Sequence, residues 1–484
     1  MGKVIQFPGR SAMAALHDEV GRLVREFIGG GRDSRTFVSF EVALDDLFAR
    51  AKREAMQSTL QAIADESRDA EAVYVDGRRC RPVGLSPREY MTSAGKVTID
   101  RMLFKDRSVG GEPSAFAPIE KELGILGEYW TPRAAQQALW MVTQMVPAKA
   151  AEAFERVGDM TPSKASLDRL PKEVSSTWEA NRQELEAALI ASLEIPEGTS
   201  TFAVSLDGVY APIEDDSENH VEKRAAKKAQ GIAPRGPDAY REIGCATISF
   251  NDASNNVLGV LRFGRAPEHK KLGVKKMLEA QLRALVAKHP RIEVVFLSDG
   301  ARDHWEFFES LGIRGEHVLD FFHVAEHLNE ALGAAYGDGS IKAGARFAAL
   351  RHILQEDPNG ATAVTLALVN LRKRASLSAH GKKKIDNAVR YFKRNAHRMP
   401  YARLRAAKLP TGSGVMEASC KTLVTQRMKL SGQRWTVAGV QAVLTPRGWD
   451  QSDRFDEAFA LVAATYQQEV TIFAPVRGQL AASE

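Results

Sequence analysis

A mixed α/β fold is what this sequence predicts, and three features of its second half predict it. Three β-like runs, Phe202–Ile213, Ile243–Phe250 and Val257–Phe263, follow one another with only a polar stretch between the first two. Helix-period and β-like segments then alternate: Gly273–Lys288, Ile292–Leu297, Arg302–Leu311, His317–Phe321. From there the pattern is helical through residues 324–408. The class is therefore α+β passing into α/β: a mixed sheet flanked by helices, carrying an all-helical insertion, and preceded by a helical and mixed N-terminal region.

At 484 residues the chain exceeds one ordinary core, so several domains are expected. Its composition, 44% hydrophobic and 26% charged, is that of a soluble globular protein. No apolar run approaches the roughly 20 residues of a membrane span, and Met1–Pro8 lacks an apolar signal core. A cytoplasmic protein with no membrane partner is expected. Cys80, Cys245 and Cys420 form no CxxC pair, which argues against a disulfide framework or a cysteine-built zinc site and leaves three inert thiols.

Residues 1–70 read as helical, with apolar spacing of three and four over Asp18–Phe27 and Phe40–Ala64. Residues 71–128 form a small mixed region with β-like runs at Ala72–Val75 and Lys96–Phe104. Residues 129–195 return to helix from a Thr131-Pro132 start. Within them Ala148–Val157, a Gly-bearing turn and Lys164–Leu170 read as helix, turn, helix, as in DNA-binding modules. That second helix would offer Ser163, Lys164, Ser166 and Arg169 to a groove, although any short helical hairpin has this pattern. Residues 200–323 hold the alternating core. The polar stretch Asp215–Tyr240 reads as a mobile basic loop. Residues 409–470 contain a Gly-rich entry and further helices, and 471–484 a tail. The order β-β-β-α-β-α-β over 200–323 is the layout of an RNase H-like domain.

Net charge is only +5, but its distribution is uneven. Between Arg372 and Lys408 stand thirteen Lys/Arg and one acid, Asp386, a net of +12 that leaves −7 for the rest. Such a segment calls for a polyanion. Its cations Lys382, Lys383, Lys384, Lys393 and Arg394 are candidate DNA-phosphate contacts. Tyr391, Phe392 and Tyr401 among them could stack on unpaired bases or form the core face of a helix.

Three carboxylates carry the chemistry. Asp207 lies in a β-like run before Gly208. Asp299 ends another run before Gly300. Glu417 opens a helix after Gly412-Ser413-Gly414. Strand tips of an α/β sheet present side chains to a shared crevice, and a helix beside the sheet could add the third acid. Hard oxygen ligands suit Mg²⁺, and two ions about 3.5–4 Å apart can activate an attacking oxygen and stabilise a leaving one. Taken singly, Asp before Gly is also an ordinary turn pair.

Three blocks bear a family resemblance: Val204-Ser-Leu-Asp-Gly-Val209; Leu297-Ser-Asp-Gly-Ala301 with His304-Trp305, continuing to Leu319-Asp-Phe-Phe-His-Val324; and Leu409-Pro-Thr-Gly-Ser-Gly-Val-Met-Glu-Ala-Ser-Cys-Lys421 with Arg427-Met-Lys-Leu-Ser-Gly-Gln-Arg-Trp435. Through them the chain resembles bacterial insertion-sequence transposases of the DDE type, in particular the ISKra group and more distantly the Mutator-like transposases. The resemblance covers roughly residues 130–470. It implies an RNase H-like catalytic domain with a helical insertion between the second Asp and the Glu. It implies a metal-binding catalytic triad at Asp207, Asp299 and Glu417, using two Mg²⁺ or Mn²⁺ ions. The family's Asp/Cys-x-x-His element falls on Asp320 and His323, which puts His323 near the scissile phosphate. Many members carry a cysteine-rich zinc ribbon near residues 70–120; here only Cys80 remains. Lys421, Arg427, Lys429 and Arg434 lie close to Glu417 in sequence and could position a DNA strand, while Trp435 could stack on a flipped base or belong to the core. Pro446 should kink or end the helix that contains it.

The expected function is a DNA transposase that cleaves and joins strands at the ends of its own element, acting on double-stranded DNA as a homodimer or larger assembly. A purely hydrolytic nuclease on the same fold, and a domesticated DNA-binding protein without catalysis, are the alternatives.

Overall fold

The computed structural model describes residues 10–106, 115–214, 222, 225–227, 229–231, 239–374 and 377–473. Most of the 215–240 stretch expected to be a mobile loop, and the tail from 474, lie outside the described residues. The chain divides into two compact units, residues 1–185 with 456–484, and residues 186–455.

The first unit opens with helices Arg10–Gly29 and Ser34–Glu66, the second capped by Asp33, which accepts from the backbone N–H of Arg35 and Thr36. An antiparallel sheet follows: β1 Ala72–Val75, β2 Arg78–Thr92 and β3 Gly95–Asp106. β2 went unseen in the sequence because Pro82, Gly84 and Pro87 interrupt it. Those residues pair with β3 alone, since β1 covers only Arg78–Cys80, and a proline without an N–H is tolerated where one side of the strand has no ladder. Cys80 packs with Ala70, Val73 and Phe104. In the neighbouring core Glu120 is buried between Tyr90, which donates to it at 2.8 Å, and Arg101 at 3.4 Å.

Further helices of this unit include Pro132–Gln144, Pro147–Val157 and Lys164–Ala180. The helix–turn–helix segment is a hairpin of the last two, and its second helix runs through Pro171 well past the expected Leu170. Ser163 is spent on the helix cap, accepting from the Ser166 N–H at 3.1 Å, and Ser166 is itself buried. Neither serine is free for a groove, whereas Lys164 and Arg169 are exposed. The chain returns to this unit at its end. The strand Val470–Phe473 pairs antiparallel with β1, so residues from 456 on do not continue the Glu417 segment as the sequence suggested.

The second unit is built on a five-stranded mixed sheet flanked by helices. Its strands are β4 Thr201–Ile213, β5 Ala239–Asn251, β6 Val257–Arg265, β7 Glu293–Ser298 and β8 Glu316–Leu319, in the order β6-β5-β4-β7-β8. β4, β5 and β6 are antiparallel; β7 and β8 continue parallel to β4. The parallel pairs require crossovers, supplied by helices Leu272–Lys288 and Arg302–Ser310. A wholly helical run then spans Phe321–Tyr336, Ile341–Glu356, Gly360–Arg372, Ala379–Asn395 and Tyr401–Ala406. One core joins the sheet to this run, from Phe202 and Phe296 to Leu328, Leu368 and Phe392. Phe392 and Tyr401 are fully buried in it and Tyr391 packs on His327, so none of the three is a base-stacking platform.

Two last helices complete the unit. One passes from Gly414–Ser419 through a π-helical turn, Cys420–Thr425, to Gln426–Met428. The other, Val437–Gln451, contains Pro446 and is not ended by it. Val440–Trp449 is buried throughout, and that packing outweighs the roughly 3 kcal/mol that an interior proline costs. Among the described residues no helix is long and apolar enough to cross a membrane.

Candidate active site

The site is set by strand register. β4 and β7 are parallel with Ser205 opposite Leu297, and β7 and β8 with Ser298 opposite Leu319. Extending each ladder in register brings Asp207, Asp299 and Asp320 to one row: Asp299 and Asp320 directly follow the ends of β7 and β8, while Asp207 lies midway along the longer β4. Asp207 and Asp299 line one polar cleft of about 240 Å³ with Glu242, Glu268, Lys270, Lys271, Ala301, Asp303 and His304.

Asp207 accepts the Gly208 N–H at 2.7 Å and the Cys420 thiol at 3.9 Å. Burial pushes its carboxyl above the usual range, the charge of Asp299 pushes the same way, and the Gly208 N–H, Lys271 and His323 pull it back. Because the folded-state pKa is the higher one, the folded chain keeps a proton that the unfolded chain has released as pH rises through the carboxylate range. Asp207 therefore subtracts stability across that window and leaves a deficit at neutral pH. In a metal-free buffer Asp207→Asn should melt higher than the parent at pH 7, with the gap closing toward pH 3; calorimetry at both values checks this, and a gap that is constant with pH would contradict it.

Asp299 is held by the Ala301 N–H at 2.9 Å and the Ser298 hydroxyl at 3.2 Å. Gly300 follows with φ +97°, a conformation that favours glycine, and Tyr391 donates to the Asp299 carbonyl at 3.1 Å. His304 lies behind, 2% exposed, with Nδ1 at 2.9 Å from Ser298 Oγ and Nε2 at 3.1 Å from Lys271 Nζ. An ammonium can only donate, so Nε2 is the acceptor and Nδ1 carries the proton; burial and Lys271 keep the ring neutral by lowering its pKa. A chain of donors thus runs from Lys271 through His304 and Ser298 to Asp299.

Asp320 is not open to the cleft. It is 1% exposed, accepts the N–H groups of Phe322 at 2.6 Å and Ser413 at 2.9 Å, and is bonded by the Ser413 hydroxyl. Phe321 N–H also donates to the Thr411 carbonyl at 3.0 Å, and a Cβ on Gly412 would meet the Phe322 ring at 2.9 Å. Asp320 thereby ties the segment that leads into Glu417 to the end of β8. Burial raises its carboxyl pKa, opposed by those two N–H groups.

Glu417 is exposed and does not line the cleft of Asp207 and Asp299. Its link to them is Cys420, one turn further along the same helix face, whose thiol points to Asp207. Among the described residues no group of three His, Cys, Asp or Glu is close enough to hold an ion. His323 is half-buried, with Nδ1 at 3.3 Å from Glu326; a proton on it would lower the pKa of both Asp207 and Asp320.

Several expected DNA contacts are used otherwise. Arg427 is 2% exposed, stacked 5.1 Å from the Trp435 ring, and burial lowers its pKa to about 10. It is a core residue, and it covers one face of Trp435, which packs against the buried cluster that includes Ile213, Leu423 and Val440. Lys421 and Lys429 are exposed; Arg434 faces Glu214 at 3.5 Å. In the basic stretch Lys384 pairs with Glu330, Arg372 with Asp386, Arg398 with Glu309, Arg403 with Glu316 and Arg405 with Glu356. Part of the +12 is thus neutralised by acids elsewhere. Lys382 is half-buried, while Lys383, Arg390, Lys393 and Arg394 stay exposed on the Ala379–Asn395 helix.

The sequence missed Lys271, Glu242 and the two thiols beside Asp207. Cys245 lies opposite Asp207 in the β4–β5 ladder and, fully buried beside Cys420, has its thiol pKa pushed up. No local pattern marks these positions, since each is brought in by tertiary packing.

No protein-family model and no curated protein matches the chain. Among solved structures it is similar to a Drosophila P element transposase strand transfer complex, at 11% identity over 71% of this chain and 82% of that one, TM-score 0.25. It is also similar to a pre-cleavage Mos1 transpososome, at 14% identity over 60% and 80% of the two chains, TM-score 0.14.

Proposed function

We propose that this chain is a DNA transposase of the DDE type, cleaving strands at the ends of an insertion sequence and joining them to target DNA. The observation that carries the reading is the shared row of Asp207, within β4, and Asp299, at the end of the adjacent parallel β7, with the Glu417 helix in contact with Asp207 through Cys420. An RNase H-like reading of the second unit is supported by its strand order, three antiparallel strands followed by two parallel ones. The helical run between Asp299 and Glu417 is then the family's insertion.

The donor set suits a hard divalent ion. Burial, and after it the charge of Asp299, raises the Asp207 pKa, and a cation between the two carboxylates would relieve both. Asp207 and Asp299 would hold Mg²⁺ or Mn²⁺, with Glu417 as the third ligand. Bound there, two such ions supply Lewis acidity at the attacking and leaving oxygens. The protein's own part is to fix the carboxylates, through Gly208, Ser298 and Ala301, and to hold the Glu417 segment through Asp320. His323 would face the phosphate. DNA would lie along Lys383, Arg390, Lys393 and Arg394, whose helix is anchored at the site by Tyr391 on Asp299 and by Arg394 on the Gly300 carbonyl at 3.5 Å. Lys164 and Arg169 of the helical hairpin, Lys421 and Arg434 are further contacts in this reading. Bringing two ends together calls for a dimer or larger assembly.

The test is a cleavage and joining assay on labelled duplex from the borders of the gene, with Mg²⁺ or Mn²⁺. Nicks at defined positions plus joined products support the reading; nicks without joining mean a nuclease; tight border binding without cleavage means a DNA-binding protein that has lost catalysis. For the basic helix, changing Lys383, Arg390, Lys393 and Arg394 together to Gln should make the slope of log K against log[salt] shallower by roughly 3 to 4. An unchanged slope, measured by anisotropy titration, would remove the helix from the DNA path.

A further inference from the structure

We propose that Lys271 is a catalytic residue that binds a non-bridging oxygen of the phosphate under attack, an assignment that rests on the transposase reading.

Lys270 and Lys271 both adopt left-handed backbone conformations, φ 52° and 56°. Two successive residues with a Cβ in that region are uncommon, and such outliers gather at functional sites. The turn is closed by the residues that flank it. Glu268 accepts the Val274 N–H at 3.0 Å and so closes the start of the Leu272–Lys288 helix over residues 269–271. The effect is to send a lysine, its side chain 12% exposed, into the cleft that holds Asp207 and Asp299. There its ammonium is 2.8 Å from Glu242 and 3.1 Å from His304.

Two glycines make room for this pair. Gly208 and Gly244 face each other across β4 and β5. A Cβ on Gly208 would collide with the Glu242 carboxylate, and one on Gly244 would come within 3.4 Å of Lys271 Cγ and 2.9 Å of Val274. The close approach that Gly208 allows is therefore that of Glu242. A surface salt bridge needs no such provision. A compact cation with three donors, held beside the carboxylates by one acid and one neutral imidazole, is what a doubly charged transition state on phosphorus requires. In the DNA-free protein Glu242 and His304 hold the ammonium ready, and a phosphate oxygen replaces part of that contact.

The test uses the full chain, as the parent, Lys271→Met, Lys271→Arg and Glu242→Gln, with border duplex carrying either a natural phosphate or a neutral methylphosphonate at the nicked position. Binding is measured with Ca²⁺ in place of Mg²⁺, and cleavage under single-turnover conditions with Mg²⁺. Expected is a parent that binds the methylphosphonate duplex roughly 10-fold more weakly, a Lys271→Met variant that binds both duplexes alike, and cleavage by that variant slowed about 100-fold or more. Lys271→Arg and Glu242→Gln should keep the preference for the charged phosphate, which a merely structural loss would not reproduce. If Lys271→Met discriminates between the duplexes as the parent does, or cuts at the parent's rate, the assignment is overturned while the transposase reading stands. Cleavage by Lys271→Met at an unchanged maximum but with less Mg²⁺ also overturns it, since the ammonium would then occupy an ion's position. A parent that neither binds nor cuts border DNA overturns both.

Discussion

Asp299→Asn, Asp207→Asn and Glu417→Gln should each lower strand cleavage by at least about 1000-fold, the equivalent of about 4 kcal/mol of barrier. Asp207 and Asp299 converge because the parallel register of β4 and β7 places them side by side where β7 ends, so an amide at either position keeps the shape and removes the charge. Border-DNA affinity should stay within a few-fold of the parent, as the exposed cations lie on other elements. Gel assays of cleavage beside anisotropy measurements of binding check this. A variant that cuts within 10-fold of the parent would exclude its residue from the metal set.

The second large effect is at Asp320. Removing its carboxylate in Asp320→Ala orphans the N–H groups of Phe322 and Ser413 and the Ser413 hydroxyl. Unsatisfied buried donors cost roughly 1 to 3 kcal/mol each, and relief from burying the carboxyl returns part of that, so urea unfolding should show a loss of about 3 kcal/mol. Ser413→Ala should cost about 1 kcal/mol. The functional consequence passes through Glu417. In Ser413→Ala, which keeps the fold, the Mn²⁺ needed for half-maximal cleavage should rise about 10-fold or more, as for other groups that orient metal ligands, with DNA affinity unchanged. An unaltered metal requirement would mean that the Asp320 clamp only stabilises the fold.

How much of this was legible in the sequence depended on whether a feature was local. β4, β7 and the helices around them announce themselves by period and apolar runs, and so did Asp207 and Asp299, each before a glycine. The glycine's purpose was not legible: at Gly208 it admits Glu242, a neighbour only in the folded sheet. β2 was hidden by prolines that its one-sided pairing tolerates. The strand Val470–Phe473 was hidden because its partner, β1, lies far back in the chain. Charge counting overstated the basic stretch, since Glu309, Glu316, Glu330 and Glu356, outside it, pair with its cations. Arg427 looked like a strand contact beside Glu417, but helical spacing turns it inward onto Trp435. Lys271 had no local signature, because an unusual backbone turn delivers it.

On the proposed function Asp207, Asp299 and Glu417 form one metal site, and Glu417, exposed and outside the cleft, is the ligand that most needs a test. The most direct measurement is Mn²⁺ binding by electron paramagnetic resonance on the full chain with border duplex, for the parent and the three variants. Two ions bound by the parent are expected, and weakened binding in all three variants, Glu417→Gln included. Mn²⁺ binding by Glu417→Gln that matches the parent in number and affinity, while Asp207→Asn and Asp299→Asn lose it, would contradict the three-carboxylate site.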